Sequence, residues 1–253
     1  MNKARAYAKV LFVVVGTAYE MLLLWIHSLI KGQSQSINFY HRRRWSRRAV
    51  RACGIQIEEI RGEITEPCAL VVSNHRTMLD PAVQTGYIDA HIIAKASVGN
   101  IPIVGKGAAM TGLVLVKRDK LRSRLAAREA TKELLEAGKS VLVYAEGTTG
   151  TTQTSGPFKI GTFGIAAELG LPVIPVAIEY PEEKDYWYVG ELDEQIIRQI
   201  GVGPTRVKLR IGDPIRGNDA SELREQVQAW IDQNLLEMQH NWSEIFVNDE
   251  IKS

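Results

Sequence analysis

The sequence predicts an α/β fold, a layered mixed and largely parallel sheet flanked by helices, with an N-terminal membrane-associated helical segment ahead of it. Three observations carry this expectation. From residue 55 onward short β-rich runs alternate with helical patterns. Several of these runs, such as Ala69–Ser73 and Val141–Ala145, are continuously apolar, as expected when both faces of a sheet are covered. The most apolar stretch of the chain lies near its start, beside a cluster of arginines. With 45% hydrophobic and 24% charged residues the composition is that of a folded protein and excludes disorder, collagen and coiled coil. The 21 Gly and 9 Pro are scattered and mark no linker. The division is therefore an N-terminal appendage, residues 1–53, and one domain, residues 54–253.

The appendage opens with Val10–Ile30, which contains no Lys or Arg. As a helix of 21 residues it is roughly 30 Å long, the thickness of a bilayer's hydrocarbon core. Glu20 at its middle and His27 near its end make a shallow, re-entrant or hairpin insertion as credible as a full span. A buried core helix normally shows a polar stripe, which this one barely has. A cleaved signal peptide is disfavoured, because no small-residue cleavage site follows. His41–Arg51 reads as a basic amphipathic helix, with Arg43, Arg44, Arg47, Arg48 and Arg51 on one face and Trp45, Ala49, Ala52 and Cys53 on the other. Such cations can sit among anionic head groups, or form a solvated face packed on the domain by its small residues.

In the domain, strands are predicted at Ile55–Arg61, Cys68–Ser73, His91–Lys95, Leu113–Lys117, Ser140–Ala145 and Pro172–Tyr180, with two more at Tyr186–Gly190 and Thr205–Ile211. Leu121–Glu136 reads as a helix stopped by Gly138, Thr162–Leu169 as a second, and Ser221–Met238 as a C-terminal cap.

Charge is distributed unevenly. Residues 1–60 hold ten Lys and Arg against three Asp and Glu (+7), the remainder 21 against 26 (−5). Basic residues that adjoin the most apolar segment point to a membrane surface as partner rather than nucleic acid, whose readers carry the basic patch on the reading domain. Lys3, Arg5 and Lys9 precede the apolar stretch as Arg42 to Arg51 follow it, so the charge bias favours a cytoplasmic domain only mildly. Cys53 and Cys68 lack metal or disulfide-framework spacing, and no metal site is expected. Nucleotide motifs fail on context. Gly138-Lys139-Ser140 has Glu133 where a P-loop needs glycine and joins a helix to a strand, while Gly105, Gly107 and Gly112 miss the dinucleotide spacing. There is no G-x-S-x-G.

The informative stretch is Asn74-His75-Arg76-Thr77-Met78-Leu79-Asp80, directly after a buried strand. Such a strand end is the rim at which α/β sheets bind ligands. Asp80 precedes Pro81, a good first helical residue, so a short turn can return the carboxylate to the imidazole. That fixes the tautomer and leaves the other ring nitrogen to accept a proton. On its own such a pair is common, and reads first as a histidine beside a helix N-cap.

Asn74–Asp80 resembles the first motif, NHxSxxD, of the glycerolipid acyltransferases. Ala94-Lys95 followed by Ile101-Pro102 and Gly105 is similar to the stretch that comes next in that family. Gly112–Arg118 resembles the second motif, Tyr144–Thr149 the third (EGTR or EGTT), Phe158–Gly161 its accompanying F-K-x-G, and Leu171–Ala177 the fourth. The resemblance covers about residues 55–215, with the motifs in the family's order.

It implies a ternary-complex acyl transfer in which His75, held by Asp80, deprotonates the hydroxyl of a lysolipid that attacks an acyl thioester, acyl-CoA or acyl carrier protein. No other cofactor is implied. Arg118 grips the acceptor's phosphate, with Lys95 and Lys159 as point charges. Gly147 permits an unusual backbone angle, where Thr148 and Thr149 can bind an anion. Glu146, grouped with these substrate-binding residues, orients a basic residue or the acceptor's hydroxyls. The expected reaction is acylation of lysophosphatidate to phosphatidic acid. Three departures weigh on the acceptor: Thr77 for Ser, Ala145 for Pro, and above all Thr149 for the phosphate-binding Arg. Other lysolipid acceptors, a thioester or lysolipid hydrolase, and a non-enzymatic lipid carrier are the alternatives.

Overall fold

The computed structural model describes residues 2–100, 103–116, 122–187, 192–240 and 242. Its centre is one seven-stranded sheet: β1 (Ile55–Arg61), β2 (Leu70–Ser73), β3 (His91–Lys95), β4 (Leu113–Val116), β5 (Val141–Tyr144), β6 (Val173–Glu179) and β7 (Thr205–Ile211). The spatial order is β1-β7-β6-β2-β5-β3-β4. Every neighbouring pair is parallel except β6 and β7. The expected mixed, largely parallel sheet is thus present, and its continuously apolar strands are those covered on both faces. All four residues of β2 and all seven of β6 are buried.

The helices are α1 (Asn2–Lys31), α2 (Gln35–Ala52), α3 (Asp80–Gln84), α4 (Val104–Met110), α5 (Arg122–Glu136), α6 (Gly161–Leu169), α7 (Leu192–Gly201) and α8 (Ala220–His240). One core cluster packs Ala6, Val50, Ile55, Val71, Val83, Ile174 and Val207 between the sheet and the N-terminal helices. The other packs Leu70, Val72, Phe163, Ile165, Leu223, Val227 and Ile231 beneath α6 and α8. Gly138 and Gly170 end α5 and α6 with φ of 70° and 63°, conformations that a side chain would resist.

One expectation is corrected. No strand begins at Tyr186: Tyr186 and Trp187 are irregular, residues 188–190 lie outside the described residues, and α7 follows. The aromatic run reads as β by composition, yet the Tyr186 hydroxyl turns inward to Glu179 at 2.7 Å and to the Tyr180 carbonyl at 2.9 Å. The Trp187 amide makes a single bond to the Arg76 carbonyl. The arginine face of α2 lies outward, with Arg47, Arg48 and Arg51 exposed and Arg43 and Arg44 part-exposed, while Ala49 and Cys53 of the opposite face are buried. Arg44 and Arg48 reach Glu20 at 3.5 and 2.9 Å, Arg43 pairs with Asp89, and Arg47 donates to the Gly86 carbonyl. Arg42, outside the expected set, is buried with its guanidinium on the carbonyls of Ile88, Ala90 and Thr111. These α2 contacts also resolve the misfit of Glu20 in an apolar segment, since its carboxylate is neutralised by the next helix.

Strand direction decides where this helical pair sits. β7 runs against β6, with Glu179 opposite Lys208, and β1 runs with β7, with Ile55 beside Thr205. The start of β1 therefore lies at the edge where β2, β5 and β6 end. α2 leads into it through Cys53 and Gly54, and Lys9 of α1 bonds the carbonyls of Cys53 and Ile200, both at 2.7 Å.

Candidate active site

At that edge β2 leaves the sheet at Asn74. The Asn74 side-chain amide accepts from the Ile178 N–H and donates to the Ile178 carbonyl, both at 2.9 Å. It substitutes for the backbone ladder and frees residues 75–79 to turn outward. His75 Nδ1 then meets Asp80 Oδ2 at 2.7 Å, with the imidazole 15% exposed and the carboxylate fully buried. Asp80 Oδ2 also accepts the amides of Arg76 at 2.6 Å and Thr77 at 3.0 Å. Its Oδ1 accepts the Tyr180 hydroxyl at 2.8 Å. Asp80 is no conventional helix cap: α3 has Leu79 at its N-cap with no side-chain cap bond, and the carboxylate bonds upstream amides. Because an ionised carboxylate only accepts, Nδ1 carries the imidazole proton, and Nε2 has no hydrogen-bond partner among the described residues.

The imidazole lies against the Tyr144 ring, centroids 4.0 Å apart and planes 20° from parallel. The Tyr144 hydroxyl donates to Gln84 at 2.7 Å, and the Gln84 amide donates to Ser73 at 2.7 Å. Burial, then the Asp80 charge, raise the Tyr144 phenol well above its ordinary range, so it stays neutral.

Glu146 is placed otherwise than expected. It is 7% exposed, and its oxygens accept the backbone N–H of His75 at 2.9 Å and of Gly156 at 2.8 Å. It ties the loop after β5 to the loop after β2. Burial raises its carboxyl's affinity for a proton, opposed by those two amides, Arg76 and His75. Gly147 does adopt a left-handed φ of 74°. The exposed Lys159 side chain runs across the space that a Cβ there would need. Thr148 is exposed, and Thr149 is half-buried with its hydroxyl 3.4 Å from the Trp187 carbonyl. The structure thus brings His75, Asp80, Glu146, Gly147, Thr148, Thr149 and Lys159 to one edge. Lys95 ends β3 opposite Val116 of β4, but its side chain lies outside the described residues, as does Arg118.

Beneath the site Arg76 is buried, with its guanidinium on the carbonyls of Gly150, Thr152 and Gln153 and on Glu179 at 2.9 Å. Burial works against its charge, and Glu179, Tyr186 and Glu146 together outweigh it, so its proton is held more tightly than usual. This cation is consumed internally and does not replace the one missing at Thr149. Arg76 and Tyr144 lie inside the motifs without being singled out and Tyr180 lies outside them, and their roles come from contacts that span up to 103 residues. Among the described residues no group of three or more His, Cys, Asp or Glu is gathered to hold a metal ion.

The family model for acyltransferases matches residues 55–179. The chain is 36% identical over 113 residues to the chloroplastic 1-acyl-sn-glycerol-3-phosphate acyltransferase BAT2 of Brassica napus, which covers 44% of this chain and 33% of that protein. It is 27% identical over 188 residues to the 1-acyl-sn-glycerol-3-phosphate acyltransferase of Helicobacter pylori, 70% of this chain and 73% of that protein. It is also 27% identical over 190 residues to the lyso-ornithine lipid O-acyltransferase of Pseudomonas aeruginosa, 70% of this chain and 72% of that protein. The chain spans about a third of the chloroplast relative's length and nearly three quarters of the two bacterial ones. The crystal structure of the 1-acyl-sn-glycerophosphate (LPA) acyltransferase PlsC from Thermotoga maritima shares the fold, with TM-score 0.72 and 19% identity over 96% of this chain and 100% of that one. The family model and these relatives agree: residues 55–179, about half of the chain, form an acyltransferase domain similar to those of the glycerolipid acyltransferases.

Proposed function

We propose that the protein moves a fatty acyl group from an acyl thioester, acyl-CoA or acyl carrier protein, to the free hydroxyl of lysophosphatidate, giving phosphatidic acid. The observation that carries this reading is the His75 imidazole, held through Nδ1 at 2.7 Å by a buried carboxylate while Nε2 stays unpaired at the surface. Nε2 takes the proton of the lysolipid hydroxyl as its oxygen attacks the thioester carbonyl. The tetrahedral adduct collapses, the C–S bond breaks, and the proton passes from Nε2 to the departing thiolate. Asp80 offsets the positive charge on the imidazole between these steps. Water arriving in place of the lysolipid would make the same base hydrolytic, so holding the acceptor is half of the chemistry. Lys159 beside Gly147 supplies charge for its phosphate, with Arg118 and Lys95 proposed from the sequence.

Membrane association fits an acceptor and product that reside in a bilayer. Within α1, Lys3–Lys31 is long and apolar enough to cross a membrane. Leu11, Phe12, Val15, Tyr19, Leu22, Trp25, Leu29 and Ile30 stand exposed along it. Glu20, turned onto α2, leaves that outer face uncharged, which supports insertion as a helical hairpin.

A second acceptor is favoured by one residue, Thr149. Without a cation there, a head group lacking phosphate suffers no loss, and a lyso-ornithine lipid is the candidate that the Pseudomonas relative's name supplies. The test is the purified full chain in detergent with labelled acyl-CoA or acyl carrier protein and separate lysophosphatidate, lysophosphatidylcholine and lyso-ornithine lipid. Preferred acylation of lysophosphatidate supports the first reading and preference for lyso-ornithine lipid the second. Release of free fatty acid without an acceptor sinks both. If lysophosphatidate is the weaker acceptor, Thr149→Arg should improve it about tenfold, the worth of one charge-assisted hydrogen bond.

A further inference from the structure

We infer that Tyr180 is a positioning residue of the His75–Asp80 pair, its hydroxyl holding the carboxylate from the side opposite the imidazole and so setting both the aim and the basicity of His75. The inference rests on the functional reading above. Asp80 Oδ2 is shared by the imidazole and two backbone amides, whereas Oδ1 has one donor among the described residues, the Tyr180 hydroxyl at 2.8 Å. Three bonds hold one oxygen and the fourth holds the other, so the carboxylate is fixed at both ends against rotation about its Cβ–Cγ bond.

Tyr180 is well mounted for this task. It follows the last residue of β6 and is fully buried. Its amide donates to Glu179 Oε1 at 2.9 Å, and its carbonyl accepts the Tyr186 hydroxyl at 2.9 Å. Glu179 in turn holds Arg76 and Gln239, at 2.9 and 2.7 Å. The phenol is therefore carried on strand and network rather than on a loop. Burial first, and the neighbouring carboxylate second, keep it protonated well beyond the ordinary phenol range, so it is a standing donor.

The consequence for the base has a sign. A donor on Oδ1 draws negative charge away from Oδ2. Removing it concentrates that charge beside the imidazole, stabilises the imidazolium, and leaves less neutral base at a given pH. Strengthening the donor does the reverse. A residue that merely fills space would do neither.

The experiment compares wild type, Tyr180→Phe and a chain carrying 3-fluorotyrosine at position 180, a more acidic phenol of nearly the same size. It uses the full chain in detergent with lysophosphatidate, or the preferred acceptor found above. For Tyr180→Phe, kcat should fall about tenfold with acceptor KM within about twofold, and the acid limb of kcat/KM should move up by about half a pH unit. For the fluorotyrosine chain the limb should move down. Opposite displacements support the inference, and any other pattern overturns it. Should the Phe variant fail to fold, the fluorotyrosine limb decides alone. His75→Ala in parallel separates the two claims. Full activity there removes the functional reading, whereas loss of activity there with unmoved limbs at 180 removes only this inference.

Discussion

His75 meets Asp80 at 2.7 Å and His41 meets Glu20 at 2.9 Å, each through Nδ1, in two regions that share little else. Asp80 is surrounded by neutral donors, two amides and a phenol, and its histidine presents an unpaired Nε2 at an imidazole 15% exposed. Glu20 is surrounded by cations, Arg48 at 2.9 Å and Arg44 at 3.5 Å, and its histidine has Nε2 occupied by His27 Nδ1 at 3.1 Å, with the ring 4% exposed. The chemistry of the couple is the same and its availability is not. One is arranged to take a proton from outside, the other to close α1 onto α2. An imidazole–carboxylate pair becomes a base through what is left unbonded.

The comparison can be broken at either pair. Asp80→Asn is expected to lower the rate most, by about 10³-fold, because an amide in place of the acceptor turns the imidazole to the wrong tautomer; steady-state kinetics with saturating acceptor checks it. Glu20→Ala should leave turnover per folded molecule within about threefold while costing about 2 kcal/mol, since the His41 Nδ1–H and the arginines lose their acceptor. Thermal or urea unfolding in detergent reads that loss, and an unchanged midpoint would mean that the arginines of α2 hold the hairpin without it.

A third buried carboxylate, without a histidine, sharpens the contrast. Asp185 is fully buried, bonded at Oδ1 by Thr205 at 2.8 Å and, among the described residues, unpaired at Oδ2. Burial raises its carboxyl to about 7 from 3.8, opposed by Thr205 and Lys184. Between roughly pH 4 and 7 the folded chain holds a proton that the unfolded chain has released, so this group's contribution to stability falls as pH rises through that window and is level above it. Asp185→Asn removes the fall. The variant's stability relative to wild type should rise by about 4 kcal/mol from pH 4 to 7.5, and parallel stability curves would contradict the assignment.

Much of this was legible in the chain and some was not, for physical reasons. The strands were readable because a sheet covered on both faces needs unbroken apolar runs, as in β2 and β5. The His75–Asp80 pair was readable because its spacing is local. Glu20 looked like a misfit because its partners stand 21 to 28 residues away on another helix, out of reach of any periodicity. α4 is short, and α7 follows an aromatic run of β composition, so neither had a signal longer than its neighbours'. Tyr144 opens the third motif and Tyr180 follows a buried strand, but nothing in either stretch singles the phenol out. Their closeness to His75 and Asp80 is a property of the strand order β6-β2-β5.

The most direct measurement is the acyl-transfer rate of His75→Ala beside that of His41→Ala, each per folded molecule, with the same thioester and lysolipid. Loss of at least about 10²-fold for the first and less than about threefold for the second is the expected result. A His75→Ala chain that still transfers acyl groups at near the wild-type rate, or a His41→Ala chain as inactive as it, would contradict the account.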